Sequence, residues 1–130
     1  PSQAMQYVIN AGGIESENAY PYSAVDHSCK YNSKVPSKQV AATISSYERV
    51  SQDEDQMAAY LVKNGPLSIG INAQWMQFYN SGISNPKVCN PSALDHGVLI
   101  VGFGVENGTK YWIIKNSWYQ DWNFHKYSGL

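Results

Sequence analysis

The stretch that most constrains the fold runs from Leu94 to Trp118. Two arms rich in β-branched and aromatic residues flank Asn107-Gly108, a pair that signals a hairpin because both residues tolerate the positive φ of a two-residue turn. If those two residues are the turn, Asn116 lies opposite Leu99. If all of Val105 to Gly108 is loop, Asn116 lies opposite Gly97. Either register brings the amide of Asn116 to within about one to three residues of the imidazole of His96, a few ångströms per residue along a strand. The chain is therefore expected to hold one polar group at each open end of a hairpin.

Around this hairpin the chain reads as globular. It has 130 residues, 43% of them hydrophobic and 15% charged, a balance that excludes a disordered chain and fits single-domain length. The formal net charge of −1 offers no electrostatic footprint for nucleic acid or an anionic membrane surface. No run reaches the roughly 18 apolar residues of a spanning helix, and Pro1-Ser2-Gln3 does not open a secretory leader. Neither nucleic acid nor membrane is expected as a partner.

Taken in order, Met5, Val8 and Ile9 have helical spacing and Gly12-Gly13 is a stop, so a short amphipathic helix is expected from about Ser2 to Ala11. Residues from Gly13 to Pro36 read as loop, and Val40 to Val50 as a strand. Ser51 to Glu54 has capping-box spacing, Met57, Tyr60 and Leu61 form an apolar stripe, and Asn64-Gly65-Pro66 ends that helix. Leu67 to Ala73 suits a buried strand, with Gly70 where a backbone or ligand approaches closely. A helical turn near Trp75 to Tyr79 and a loop follow. This order predicts an α+β fold with a mainly antiparallel sheet.

Several residues have plain structural readings. Trp112, Ile113 and Ile114 are expected in the core, and Gly102 and Gly104 at a bulge or close strand contact. His27 and His125 sit in polar stretches and are expected to be solvated. Asp53, Glu54 and Asp55 fit a helix start rather than a metal site. Asp95 and Ser117 invite a Ser–His–Asp reading with His96, but strand neighbours point to opposite faces, so Asp95 is poorly placed to orient the ring. The triplet Asn107-Gly108-Thr109 is an acceptor sequon for N-linked sugar on the predicted turn. Cys29 and Cys89 lie too far apart in sequence to say whether they meet.

The run from Leu94 to Gly104, with Tyr111-Trp112-Ile113-Ile114-Lys115-Asn116-Ser117-Trp118, resembles the C-terminal half of papain-like cysteine proteases. Gly12 to Glu17 with Tyr20-Pro21-Tyr22, Gly65 to Ile69, and Met76 to Tyr79 with Gly82-Ile83 extend the resemblance to about Trp122. The Gln77-Phe78-Tyr79 region is most similar to cathepsin F-type enzymes, with cathepsin L-type close behind. The resemblance implies a papain-like fold, incomplete here. Residues 1–37 would be the end of the helical left domain, and residues 38–130 most of the β-barrel-like right domain. It implies that His96 and Asn116 are the catalytic histidine and its orienting asparagine, and that Trp118 shields their hydrogen bond. Gly70, Leu94 and Gly97 would wall a pocket for a bulky apolar side chain.

The family's nucleophile lies in a Cys-Gly-Ser-Cys-Trp type signature about 130–150 residues before the histidine and asparagine. Only 95 residues precede His96 here, and they lack the signature. The chain is therefore expected to begin downstream of its nucleophile and to be inactive alone, marginally stable or prone to aggregate. Cys29, with Lys30 as its one adjacent cation and no helix N-terminus, has little to stabilise a thiolate. By resemblance Cys29 and Cys89 are disulfide cysteines whose partners lie outside this chain. Tyr119 and Asn123 replace family glycines, which predicts strain at 119 and a tail from Phe124 that does not clearly continue the family strands. The resemblance implies no cofactor, and a lysosomal or extracellular location. Its implied partners are peptide or protein substrates, the missing N-terminal segment and cystatin-type inhibitors. The alternative is a catalytically inactive, protease-derived binding module.

Overall fold

The computed structural model describes residues 1–31, 40–87, 89–118 and 124–128, and it divides into two compact units, Pro1–Arg49 and Val50–Leu130. The expected loop end at Pro36, the division at 37/38, and Tyr119 and Asn123 lie outside the described residues. No helix among those described is long and apolar enough to cross a membrane.

In the first unit, α1 spans Ser2–Ala11 and buries Val8. It stops where Gly12 turns left-handed at φ 80°, and the amides of Gly12 and Gly13 return to the carbonyls of Ile9 and Val8. This glycine-dependent pattern satisfies carbonyls that a helix end otherwise leaves open. Strand β1 (Ile14–Glu15) pairs antiparallel with β2 (Val40–Ala42). A Cβ on Gly13 would collide with Val40 and lie 2.9 Å from the Ala42 carbonyl oxygen, so glycine permits this approach. The strand expected over Val40 to Val50 covers only three of those residues. Its two-residue partner ends there, and the β-branched residues beyond find no ladder to extend.

The second unit opens with α2, Glu54–Asn64. Its cap is Asp53, whose carboxylate accepts from the Gln56 amide at 3.0 Å, while Ser51 Oγ, two residues earlier, accepts from Asp53 N. The expected capping box thus gives way to an aspartate cap shifted by two residues, which serves the same open amides. Leu61 is buried, and Met57, Ala58 and Tyr60 pack partly buried against the same core.

A five-stranded sheet carries that core. Its strands are β3 (Leu67–Ile71), β4 (Ile83–Ser84), β5 (His96–Glu106), β6 (Thr109–Lys115) and β7 (Phe124–Tyr127), in the order β3-β5-β6-β7-β4. All neighbours are antiparallel except β4 and β7. The tail therefore differs from expectation: Phe124–Tyr127 is a strand between β6 and β4. His125 differs too, being 6% exposed, with its ring 4.5 Å from that of Tyr79. Only the pairing of β7 inside the sheet removes it from water, and local polarity in the sequence carries no sign of that. His27 is exposed, as expected. Burial also pushes the Tyr127 phenol well above its ordinary range, with Tyr79 adding to the effect.

The turn between β5 and β6 is the two-residue Asn107-Gly108, with φ of 50° and 79°. From Glu106↔Thr109 to Gly102↔Ile113 the ladder keeps the register this turn dictates, and it then shifts so that Ile100 faces Ile114 and Leu99 faces Lys115. Val101 is the extra residue, a β-bulge. Gly102 follows it directly and Gly104 two residues later; a Cβ on Gly102 would lie 3.1 Å from Ile113 Cδ1 and one on Gly104 2.6 Å from Tyr111 Oη. Both glycines therefore accommodate side chains from β6 lying across β5, as anticipated. Val98, Ile100 and Ile114 beyond the bulge, and Trp112 on its turn side, are buried with Met76 and Tyr127, whereas Ile113 is half-buried.

Because Ile114 is fully buried, Ile114→Ala is expected to lower the stability of this unit by about 2–5 kcal/mol. Val62→Ala, at a position 76% exposed on α2, is expected to stay within about 0.5 kcal/mol. Urea unfolding followed by tryptophan fluorescence checks both.

Candidate active site

The bulge decides which side chains meet. Without it, Asn116 would lie opposite Leu99, three residues from His96 and, by strand alternation, on the other face of the hairpin. The extra residue at Val101 shifts the register by one, so the ladder continued past Leu99↔Lys115 sets Asn116 opposite Val98. Two residues then separate it from His96, and both side chains share the face of Val98, Ile100 and Ile114. His96 Nε2 and Asn116 Oδ1 are 2.8 Å apart.

The orientation of the amide follows from a second contact. Asn116 Oδ1 also accepts from the Ser117 backbone N–H at 2.7 Å, and a backbone N–H can only donate. The atom facing His96 is therefore the amide oxygen, so Nε2 donates to it. A neutral ring held this way keeps its lone pair on Nδ1. Asn116 is 5% exposed, and Trp118 lies over the imidazole with centroids 4.9 Å apart and planes 32° apart. Shielding of this kind strengthens a hydrogen bond by lowering the local dielectric.

His96 is held from its other side by β3. It is the first residue of β5 and pairs with Ile71, and the next pair is Gly70↔Gly97. The approach to β5 is clamped at three points. Asn72 Nδ2 donates to the Ala93 carbonyl at 2.9 Å, the Asp95 amide donates to the Ile71 carbonyl at 3.0 Å, and Asp95 Oδ1 accepts from Ala73 N at 2.7 Å. The Asp95 carboxylate is thus engaged with backbone, as the alternation argument anticipated, which removes the support for a Ser–His–Asp arrangement. Buried Asn72 was not anticipated; its one signal is a polar residue closing an apolar strand.

The clamped segment presents Leu94, 59% exposed. A Cβ on Gly70 would lie 3.4 Å from Leu94 Cδ1, whereas one on Gly97 would meet nothing within 4 Å. Gly70, Leu94 and Gly97 thus form one surface beside His96, with an apolar wall and open floor. A cleft of about 430 Å³ lies elsewhere, between α2 and the hairpin tip, lined by Ala58, Phe103 and Val105 among others. It has none of these residues. Cys29 and Cys89 are exposed, and neither forms a disulfide among the described residues; Cys29 Sγ lies 3.2 Å from Tyr7 Oη. No group of three or more potential metal ligands comes together among those residues.

An imidazole oriented by a shielded amide thus stands at the start of β5, in a mainly antiparallel sheet. The papain family of cysteine proteases matches residues 1–130, and the chain belongs to that family. Cysteine proteinase 15A of Pisum sativum is 47% identical over 97% of this chain and 36% of its own length. Cathepsin F of Mus musculus is 37% identical over the whole chain and 28% of its own length. Among solved structures, digestive procathepsin L 3 of the Tenebrio molitor larval midgut superposes with a TM-score of 0.85 at 38% identity, covering 98% of this chain and 42% of that one. The bromelain protease of Ananas comosus, solved with the E64 inhibitor, gives 0.80 at 34%, covering 98% and 59%. The chain spans about a third of the length of the curated relatives it matches.

The geometry predicts a defined tautomer. In ¹⁵N spectra of the histidine rings, the neutral form of His96 is expected to be the Nε2–H tautomer. Asn116→Ala should restore a mixture of tautomers and cost on the order of 1 kcal/mol from the lost hydrogen bonds. An unchanged tautomer in the variant would show that Asn116 does not orient the ring.

Proposed function

We propose that this chain supplies the histidine–asparagine half, and the C-terminal part, of a papain-like cysteine endopeptidase. The observation that carries the reading is the 2.8 Å contact of His96 Nε2 with an amide oxygen whose orientation the Ser117 N–H sets. With Nε2 committed to Asn116, Nδ1 is the atom that takes the proton of a cysteine thiol supplied from outside this chain. The thiolate attacks the peptide carbonyl, and the imidazolium returns the proton to the leaving amine. Water, deprotonated by the same Nδ1, then releases the acyl group and regenerates the thiol. Trp118 keeps water from the His96–Asn116 bond throughout, and Asn116 holds the ring in the tautomer each transfer needs.

Gly70, Leu94 and Gly97 bind the substrate side chain that precedes the scissile bond. The open floor at Gly97 and the wall at Leu94 favour a bulky apolar group. The partners of this reading are peptide or protein substrates, the N-terminal segment that completes the domain, and inhibitors of the cystatin type. The setting is a lysosomal or extracellular compartment. A second reading, a binding module that holds peptides without cleaving them, is motivated by the two cysteines of this sequence, neither of which stands in a nucleophile signature.

Reconstitution separates the two. With an N-terminal papain-family segment added and folding verified, the complex is expected to cleave dipeptide amides and to react with an epoxide thiol inhibitor, and His96→Ala should reduce kcat/KM by at least about 10²–10⁴-fold. A folded complex that binds peptide without cleavage supports the module instead. In the same complex, Gly97→Ala should lower kcat/KM for bulky apolar side chains by about tenfold relative to small ones. Equal losses for both would remove Gly97 from the pocket.

A further inference from the structure

We infer that Asn107 is an acceptor for N-linked oligosaccharide. The sequence contains one usable acceptor triplet, Asn107-Gly108-Thr109, because in Asn90-Pro91-Ser92 the central proline prevents the acceptor conformation. The fold sets that triplet at the tip of the β5–β6 hairpin, where Asn107, Gly108 and Thr109 are all exposed. Asn107 and Gly108 form the turn through their positive φ angles, a backbone property that substitution on Asn107 Nδ2 leaves untouched.

The position also keeps a sugar clear of the proposed active site. Glu106 lies ten residue steps along β5 from His96, a rise of about 33 Å at roughly 3.3 Å per residue. At the tip, Phe103 and Val105 expose apolar surface on the strand that leads into the turn. The first sugar residue stands beside that surface, and the rest of the glycan extends into solvent.

The transfer is a substitution at the anomeric carbon of a lipid-diphosphate-linked oligosaccharide. The Asn107 Nδ2–carbon bond forms and the carbon–oxygen bond to diphosphate breaks. The lipid diphosphate leaves with the electron pair, and one amide proton passes to base. The inference rests on the secretory setting of the proposed function, since that is where such a donor is met, but it needs no catalysis by His96.

The test expresses the full 130-residue chain in eukaryotic cells behind a secretion leader, with one further acceptor triplet appended as a record of entry. Secreted and cell-associated pools are both analysed by mass spectrometry after enzymatic release of N-glycan in ¹⁸O water. Asn107 should be recovered as labelled aspartate, retained as an acceptor in Thr109→Ser, and lost as one in Thr109→Ala. A chain modified at the appended triplet but not at Asn107 overturns the inference, as does modification that persists in Thr109→Ala. Protein from its natural source that lacks the glycan, while the secreted chain carries it, would overturn the secretory setting rather than the acceptor.

Discussion

The β5–β6 ladder, with one extra residue at Val101, is the constraint on which the second unit depends. The Asn107-Gly108 turn sets its register at one end, and the bulge resets it at the other. Period-two alternation makes a one-residue shift a change of face for every side chain beyond it. Inward of the bulge the shift brings Val98 and Ile100 to the same side as Ile114, and carries His96 to the side of Asn116. Hydrophobic burial and the polar pair are thus specified by the same irregularity. Burial of Val98, Ile100 and Ile114 there makes the alternative register expensive.

The polar pair is held from both directions. On one side a backbone amide fixes the orientation of the Asn116 amide, leaving a single acceptor for the ring. On the other, β3 pairs with the start of β5, and Asn72, Ile71 and Ala73 tie down the segment from Ala93 to Asp95. These contacts are mostly to backbone, so they constrain position more tightly than pairs of long side chains would. The same clamp holds Leu94 over Gly70, which places that apolar surface and the imidazole on one edge of the sheet. The proton transfer proposed for His96 needs that placement, because it requires the ring within hydrogen-bond reach of its partners.

Legibility differed by element. The hairpin, the first helix and its glycine stop, and the body of α2 could all be read because each is written in local turn, capping or periodicity chemistry. The strand at Val40 is shorter than its β-branched composition suggests, because composition does not reveal that the partner strand is two residues long. Phe124 to Tyr127 and buried His125 are not legible locally, because a strand in the middle of a sheet is defined by neighbours distant in sequence. Asn72 is equally silent, since a strand-end amide is polar in many contexts and becomes a clamp only against Ala93.

By itself, the sequence determined that a two-residue turn would bring His96 and Asn116 near one another, and its residues from Leu94 to Trp118 carried the resemblance to the papain family. It could not determine whether the two side chains would share a face, since turn chemistry alone left them at an odd offset. Tertiary structure decided that through the bulge at Val101. Where an extra residue sits depends on which side chains the sheet, α2 and the turn near Met76 bury together. That is a balance of non-local packing: Gly102, next to the extra residue, signals a bulge or a close strand contact, but not the register that results.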